Sequence, residues 1–295
     1  MDIDTSYARA RKLAIGNSKE LNLILVGCGG TGSWLAPSVV RAVKVLTEKI
    51  SVKVNATFID PDLVEEKNVY RQNFCLAEIG ANKAETLALR YSSAWGLPFP
   101  IHALVMEFAG AWKKIESQSY GNALTVILGC VDNPVARKQI ADAFKGGSRN
   151  SDKIPSLWWI DSGNEHANGQ ILIGSDSEDK GGFPIKGYCT RLPLPSIQHP
   201  ELISRAEVVR PKASTAHLSC ADLALLDAQS LTINQRMAAE MSDFLFRAVV
   251  IRDLDRYATY LNLKSGTTRS NYITPENIAS VYKQVHVQEE CLMAL

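Results

Sequence analysis

Paired cysteines, long apolar runs and net charge are what this 295-residue chain lacks. Its six cysteines, Cys28, Cys75, Cys130, Cys189, Cys220 and Cys291, include no Cys-x-x-Cys pair, and its five histidines show no ligand spacing. No zinc site is therefore expected, and the thiols read as buried packing groups rather than a disulfide framework. Lys and Arg number 32 against 31 Asp and Glu, a formal net charge of +1. No global field draws such a chain onto nucleic acid or an anionic membrane, and neither is expected as a partner. Residues 1–12 contain no apolar stretch of the secretory kind, and no segment is long and apolar enough to span a bilayer, so a cytoplasmic location is expected. No internal repeat is present.

What is present is an alternation of short apolar runs and helical patterns. Leu21–Val26, Val52–Ile59, Phe99–Val105 and Leu124–Leu128 read as strands. Thr31–Glu48 and Ala81–Tyr91 read as helices, and residues 4–14 carry a weak helical pattern. Such alternation predicts an α/β fold with a Rossmann-like, mainly parallel sheet flanked by helices. After Leu157-Trp158-Trp159-Ile160-Asp161 the pattern changes, and Gly169–Gly174 read as an edge strand. The stretch from Ser175 to Lys212, rich in Gly, Pro, Ser and charge, reads as a long crossover loop. A long helix over Leu231–Arg252 and two strands about the turn Lys264-Ser265-Gly266-Thr267 form a smaller antiparallel C-terminal portion. The expected organisation is a nucleotide-binding core over 1–174, a crossover loop over 175–212, and a segment over 213–295 that completes the same domain.

The chemistry lies at the ends of the parallel strands, where ligands of such sheets bind. Gly27, Gly29, Gly30 and Gly32 follow the first strand and open a helix, an arrangement that presents backbone N–H groups to phosphate. Asp60, at the end of the next strand, suits a ribose hydroxyl, a placement that NAD enzymes share. Arg71 and Lys83 separate the alternatives. Hydride transfer has no obvious need of two added cations, whereas attack of a carboxylate on the α-phosphorus of ATP brings two anions together and expels pyrophosphate. Asp132 is a suitable carboxylate for Mg²⁺. No general base is needed, because a carboxylate nucleophile is already ionised at neutral pH.

The whole arrangement resembles the ThiF/MoeB/E1 superfamily, which adenylates the C-terminal glycine of ubiquitin-like proteins. Its glycine turn looks like Gly27–Gly32, its ribose-binding Asp like Asp60, and its Asn-x-x-Arg-Gln segment like Asn68 to Gln72. Its phosphate-binding Lys looks like Lys83, and its metal-binding Asp like Asp132 in the run Asp132 to Arg137. The runs Arg191-Leu192-Pro193, Pro200-Glu201-Leu202-Ile203 and Ser219-Cys220-Ala221-Asp222 are similar to the ThiF-like protein of the bacterial PRTRC cassette. The resemblance implies ATP and Mg²⁺, a ubiquitin-like partner ending in Gly, a homodimer, and an E2-like acceptor. It also places Cys189, in a Cys-Thr dipeptide beside Lys186 and Arg191, as a candidate thioester nucleophile. Ser175 to Pro200 are then expected to cover the substrate. Two departures stand out: the zinc-binding cysteine pairs of ThiF and MoeB are missing, and Arg9 and Arg11 match poorly the N-terminal Arg that those homodimers insert into a partner. Alternatives are an adenylating enzyme for a small molecule or tRNA, and a nucleotide-binding module that recognises a partner without chemistry.

Overall fold

The computed structural model describes residues 5–97, 101–118, 123–145, 154–178, 182–204 and 232–293. In chain order the strands are β1 (Lys12–Leu13), β2 (Glu20–Val26), β3 (Lys53–Ile59), β4 (His102–Leu104), β5 (Leu124–Gly129), β6 (Leu157–Asn164), β7 (Asn168–Gly174), β8 (Tyr188–Cys189), β9 (Arg256–Asn262) and β10 (Thr267–Tyr272). The α-helices are α1 (Gly30–Lys49), α2 (Lys83–Trp95), α3 (Phe108–Gln118), α4 (Pro134–Asp142), α5 (Pro195–Gln198), α6 (Glu201–Ser204), α7 (Ile233–Phe246) and α8 (Pro275–Met293). Eight strands form one sheet in the order β10-β9-β7-β6-β5-β2-β3-β4. The run β4-β3-β2-β5-β6 is parallel, and β7, β9 and β10 continue it antiparallel.

Strand order reverses at β2. The chain leaves β2 for β3 and β4 on one side, then returns to place β5 on the other. At such a reversal the connections diverge to opposite faces and leave a crevice beyond the strand ends. The glycine turn follows β2 at that point.

Alternation along β2 divides the core in two. Leu21, Leu23 and Leu25 pack with Leu35, Val39 and Phe58 on the α1, α2 and α7 face. Ile24 and Val26 pack with Phe108, Ile127, Ile140 and Trp159 on the opposite face. Burying each such side chain contributes about 1.5–3 kcal/mol, which explains why strands covered on both faces read as unbroken apolar runs.

Four expectations change. Of the expected helix over residues 4–14, the described residues 5–14 form no α-helix. Ser6–Arg9 make a single 3₁₀ turn, and Lys12–Leu13 pair in parallel with Tyr188–Cys189. The run Gly169–Gly174 lies within β7, which is internal rather than at an edge, because β9 takes up its second side. The expected strand over Phe99–Val105 shortens to His102–Leu104, residues 98–100 lying outside those described. The long helix over Leu231–Arg252 is α7 followed by a π-helical turn at Arg247–Ile251, and Leu231 lies outside the described residues.

The described parts of the crossover segment are packed rather than draped. Asp176 and Arg191 form a buried ion pair, Nη1 to Oδ2 at 2.6 Å. Ser175 N–H and Asp176 N–H both donate to the carbonyl of Leu192, and Leu194 N–H donates back to the carbonyl of Asp176. Residues 179–181 and 205–231, with the Ser219–Asp222 run, fall outside the description. Removing one partner of a buried pair leaves an uncompensated charge, so Asp176→Ala is expected to lower the unfolding free energy by about 3–5 kcal/mol. Replacing both residues by apolar ones of similar volume should recover most of that loss, read by denaturant titration of the single and double variants.

Candidate functional site

Gly27 follows β2 with φ +84°, a conformation that side chains disfavour, and a Cβ there would lie 2.7 Å from the carbonyl oxygen of Cys130. A Cβ on Gly32 would collide with the carbonyl oxygen of Gly27. The two glycines therefore let the turn close on itself and against the end of β5. Gly29 is the N-cap of α1 and supplies no capping side chain, which leaves the first N–H groups of a 20-residue helix for a ligand. Two buried oxygens flank this turn with no hydrogen-bond partner among the described residues: Thr31 Oγ1 and Gln72 Oε1. Gln72 also approaches Gly29, its Nε2 being 3.7 Å from the position a Cβ would take. Native interiors rarely orphan such atoms, and a bound polar group at the turn would satisfy them.

Asp60 is buried beneath the turn. Its Oδ2 accepts the N–H of Cys28 at 2.6 Å and its Oδ1 the N–H of Asp62 at 2.8 Å. Loss of solvation pushes its carboxyl above the usual range, opposed by those two N–H groups and by Lys83 nearby. Asn82, the N-cap of α2, accepts the N–H of Glu85 and donates Nδ2 to the carbonyls of Asp60 and Asp62. It thus fixes the next residue, Lys83, whose buried ammonium lies 2.9 Å from Asp62 Oδ2.

The Asn68–Gln72 segment is stitched to α1. Pro37 has no N–H for the carbonyl of Ser33, and Asn73 Nδ2 donates to that oxygen at 3.2 Å. Asn73 N–H donates to Ser33 Oγ, and Trp34 Nε1–H to the carbonyl of Arg71 at 3.2 Å. Arg71 is thereby held one turn from the start of α1. Asn68 is buried, and its Oδ1 accepts the N–H of Glu65, so that oxygen is engaged in a local cap.

At the end of β5, Asp132 is exposed. Asn133 caps α4 by accepting the N–H of Ala136 at 2.7 Å, and buried Arg137 reaches β6, with Nε 3.2 Å from Asp161 Oδ2 and Nη2 donating to the carbonyl of Ser162. Cap and anchor leave Asp132 facing outward beside residues 130–131, which touch the Gly27 turn. The structure therefore brings Gly27–Gly32, Asp60, Arg71, Lys83 and Asp132 to one end of the sheet. Sequence reasoning did not single out Asp62, Asn82, Asn73, Trp34 or Thr31. Only Asn82 carried a local signal, an Asn three residues before Glu85 at a helix start.

The sequence reads Cys189 either as a loop-borne candidate nucleophile, with Lys186 and Arg191 to lower its pKa, or as an incidental cysteine. The structure buries it fully in β8, where its Sγ–H donates to the carbonyl of Arg191 at 3.0 Å and burial pushes the thiol up to about 12. The Arg191 guanidinium is engaged by Asp176. Cys28 and Cys130 are likewise raised by burial.

This geometry defines a Rossmann-type α/β protein with an uncapped glycine turn at its topological switch point. The chain belongs to the ThiF family, whose model matches residues 12–183. Its structure is similar to that of PaaA, at 15% sequence identity and TM-score 0.55, over 87% of this chain and 74% of that one. It is also similar to E. coli MccB solved with ATP, at 11% identity and TM-score 0.53, over 86% of this chain and 64% of MccB. A further MccB structure, with AMPCPP and MccA, matches at 13% identity and TM-score 0.51 over 86% of this chain and 64% of that one. The chain thus spans just under two thirds of the length of these MccB chains. No curated protein matches it.

Thiol reactivity follows from these positions. With brief iodoacetamide treatment of the native protein at pH 8, exposed Cys75 should be alkylated and Cys189 protected, becoming reactive only in denaturant. Peptide mass spectrometry checks this, and rapid native labelling of Cys189 would contradict its burial.

Proposed function

We propose that this protein is an E1-like adenylating enzyme that uses ATP and Mg²⁺ to activate the C-terminal carboxylate of a small protein or peptide. The single observation that supports this reading is a glycine turn whose first helical N–H groups are uncapped, with Arg71, Lys83 and Asp132 on the segments that adjoin it. In the reaction, a carboxylate oxygen forms a bond to the α-phosphorus while the bond to pyrophosphate breaks. The N–H groups after Gly29 and the Lys83 ammonium would hold phosphate oxygens, Arg71 would face the charge that develops between nucleophile and leaving group, and Asp60 would receive the ribose. Asp132 stands alone as a carboxylate at its strand end, which suits Mg²⁺, an ion held by one or two carboxylates with phosphates and water supplying the rest. Bound there, the ion would neutralise charge on the phosphates.

The family and the MccB structures containing ATP, AMPCPP and MccA support a nucleotide together with a peptide-like substrate. A β-grasp protein ending in Gly, a homodimer and an E2-like acceptor are carried over from the superfamily resemblance, as is the kinship with the PRTRC cassette. The buried state of Cys189 favours a reaction that stops at the acyl adenylate, with transfer to an external nucleophile. The hydride-transfer alternative needed Arg71 and Lys83 to stand apart from the glycine turn. Instead Arg71 is bonded to α1, and Lys83 pairs with Asp62, whose N–H is held by Asp60. A binding module without chemistry cannot return label from pyrophosphate to ATP.

ATP–pyrophosphate exchange in the presence of a small protein ending in Gly is the deciding assay. Asp132→Ala should reduce exchange by about 10²-fold or more, and its stability should stay within about 0.5 kcal/mol of the wild type because the side chain is exposed. Undiminished exchange in that folded variant would remove Asp132 from the reaction.

A further inference from the structure

Lys83 and Asp62 form an unequal pair. The lysine side chain is 8% exposed and the aspartate side chain 65%, with Nζ and Oδ2 2.9 Å apart. A nearly buried ammonium without a counter-charge is costly, so Lys83 depends on this partner. The aspartate depends far less on the lysine. Its backbone is fixed from both sides: its N–H donates to Asp60 Oδ1, and its carbonyl accepts Lys83 N–H at 3.0 Å and Asn82 Nδ2 at 2.9 Å. The carboxylate itself projects toward solvent and can leave by side-chain rotation alone.

We propose that Asp62 is an exchangeable counterion for Lys83, displaced by the phosphates of ATP and restored when pyrophosphate departs. This inference rests on the reading of Lys83 as a phosphate-binding residue. It adds that the resting site is already neutralised, so a polyphosphate is bound by exchange of one anion for another. Asp62 therefore sets affinity for the charged part of the nucleotide and assists release of pyrophosphate, while the nucleoside part is recognised elsewhere. It is a positioning residue rather than a catalytic one.

Calorimetric titration of the full chain with ATP, pyrophosphate and adenosine, each with Mg²⁺, tests this. Asp62→Asn should tighten ATP and pyrophosphate by about fivefold at low ionic strength and leave adenosine unchanged. Asp62→Ser should do the same, which covers a folding defect in one variant. In a Lys83→Met background the gain should vanish, because no ammonium is left to release. Equal or weaker ATP binding in both Asp62 variants overturns the proposal. So does a gain that persists without Lys83, since Asp62 would then act only as a nearby negative charge. If Lys83→Met alone leaves ATP affinity unchanged, the phosphate-binding role of Lys83 fails first, and that result is separable from the behaviour of Asp62.

Discussion

One buried carboxylate organises this end of the molecule. Asp60 follows β3 directly and accepts the N–H of Cys28, just past β2, and the N–H of Asp62, two residues further along the chain. Both oxygens are used, so the side chain is an adaptor between two backbones. It shapes the glycine turn from below and directs the following segment toward α2. Burial raises the carboxyl's affinity for a proton, yet the two N–H groups favour the charged form that accepts them. A leucine of similar size would leave both N–H groups orphaned, the situation that native interiors avoid.

Around that adaptor, short polar side chains do the positioning through backbone groups. Asn82 ties the start of α2 to the carbonyls of Asp60 and Asp62, Asn73 ties the Arg71 segment to α1 where Pro37 interrupts the helix ladder, and Asn133 with Arg137 ties Asp132 to α4 and β6. None of these bonds needs a ligand. The described side chains are therefore held in place by the protein's own bonds, and the ordering cost of these loops falls on folding.

How much of this was legible in the sequence depends on the range over which each feature is decided. The runs Leu21–Val26 and Leu124–Leu128 were readable because both faces of a central parallel strand are apolar, a property of the strand itself. The positions of the glycine turn, Asp60 and Asp132 were readable because each closely follows such a strand, and that of Lys83 because it falls in a helical pattern. The place of β7 in the sheet was not, since only the distant strand β9 decides whether β7 has a free edge. Nor was the short pairing of residues 12–13 with 188–189, which spans most of the chain and replaces a helix that local pattern favours. The helix α4 was not expected, although Asn133-Pro134 is a good N-cap and first-turn pair, because nine residues are too few to display a clear helical period.

Cys189 shows why a local motif can mislead about reactivity. A Cys-Thr dipeptide in a Gly- and Pro-containing stretch, with cations two and three residues away, has every local sign of an activated thiol. Nucleophilicity is decided by what surrounds the sulfur in space. Here Leu13 pairs with Cys189 across β1 and β8, Ala14 N–H donates to the cysteine carbonyl at 2.8 Å, and the neighbouring guanidinium is neutralised by Asp176. For the thiol to meet an acyl group, that pairing must open, together with the bond from Sγ to Arg191. The segment following β8 is anchored in turn by the bonds between Ser175, Asp176 and Leu192, which join it to the end of β7. Exposure of the Cys189 sulfur would thus require undoing both the β1–β8 pairing and the anchoring of the segment that follows it, which is why burial, and not the local motif, decides the state of this thiol.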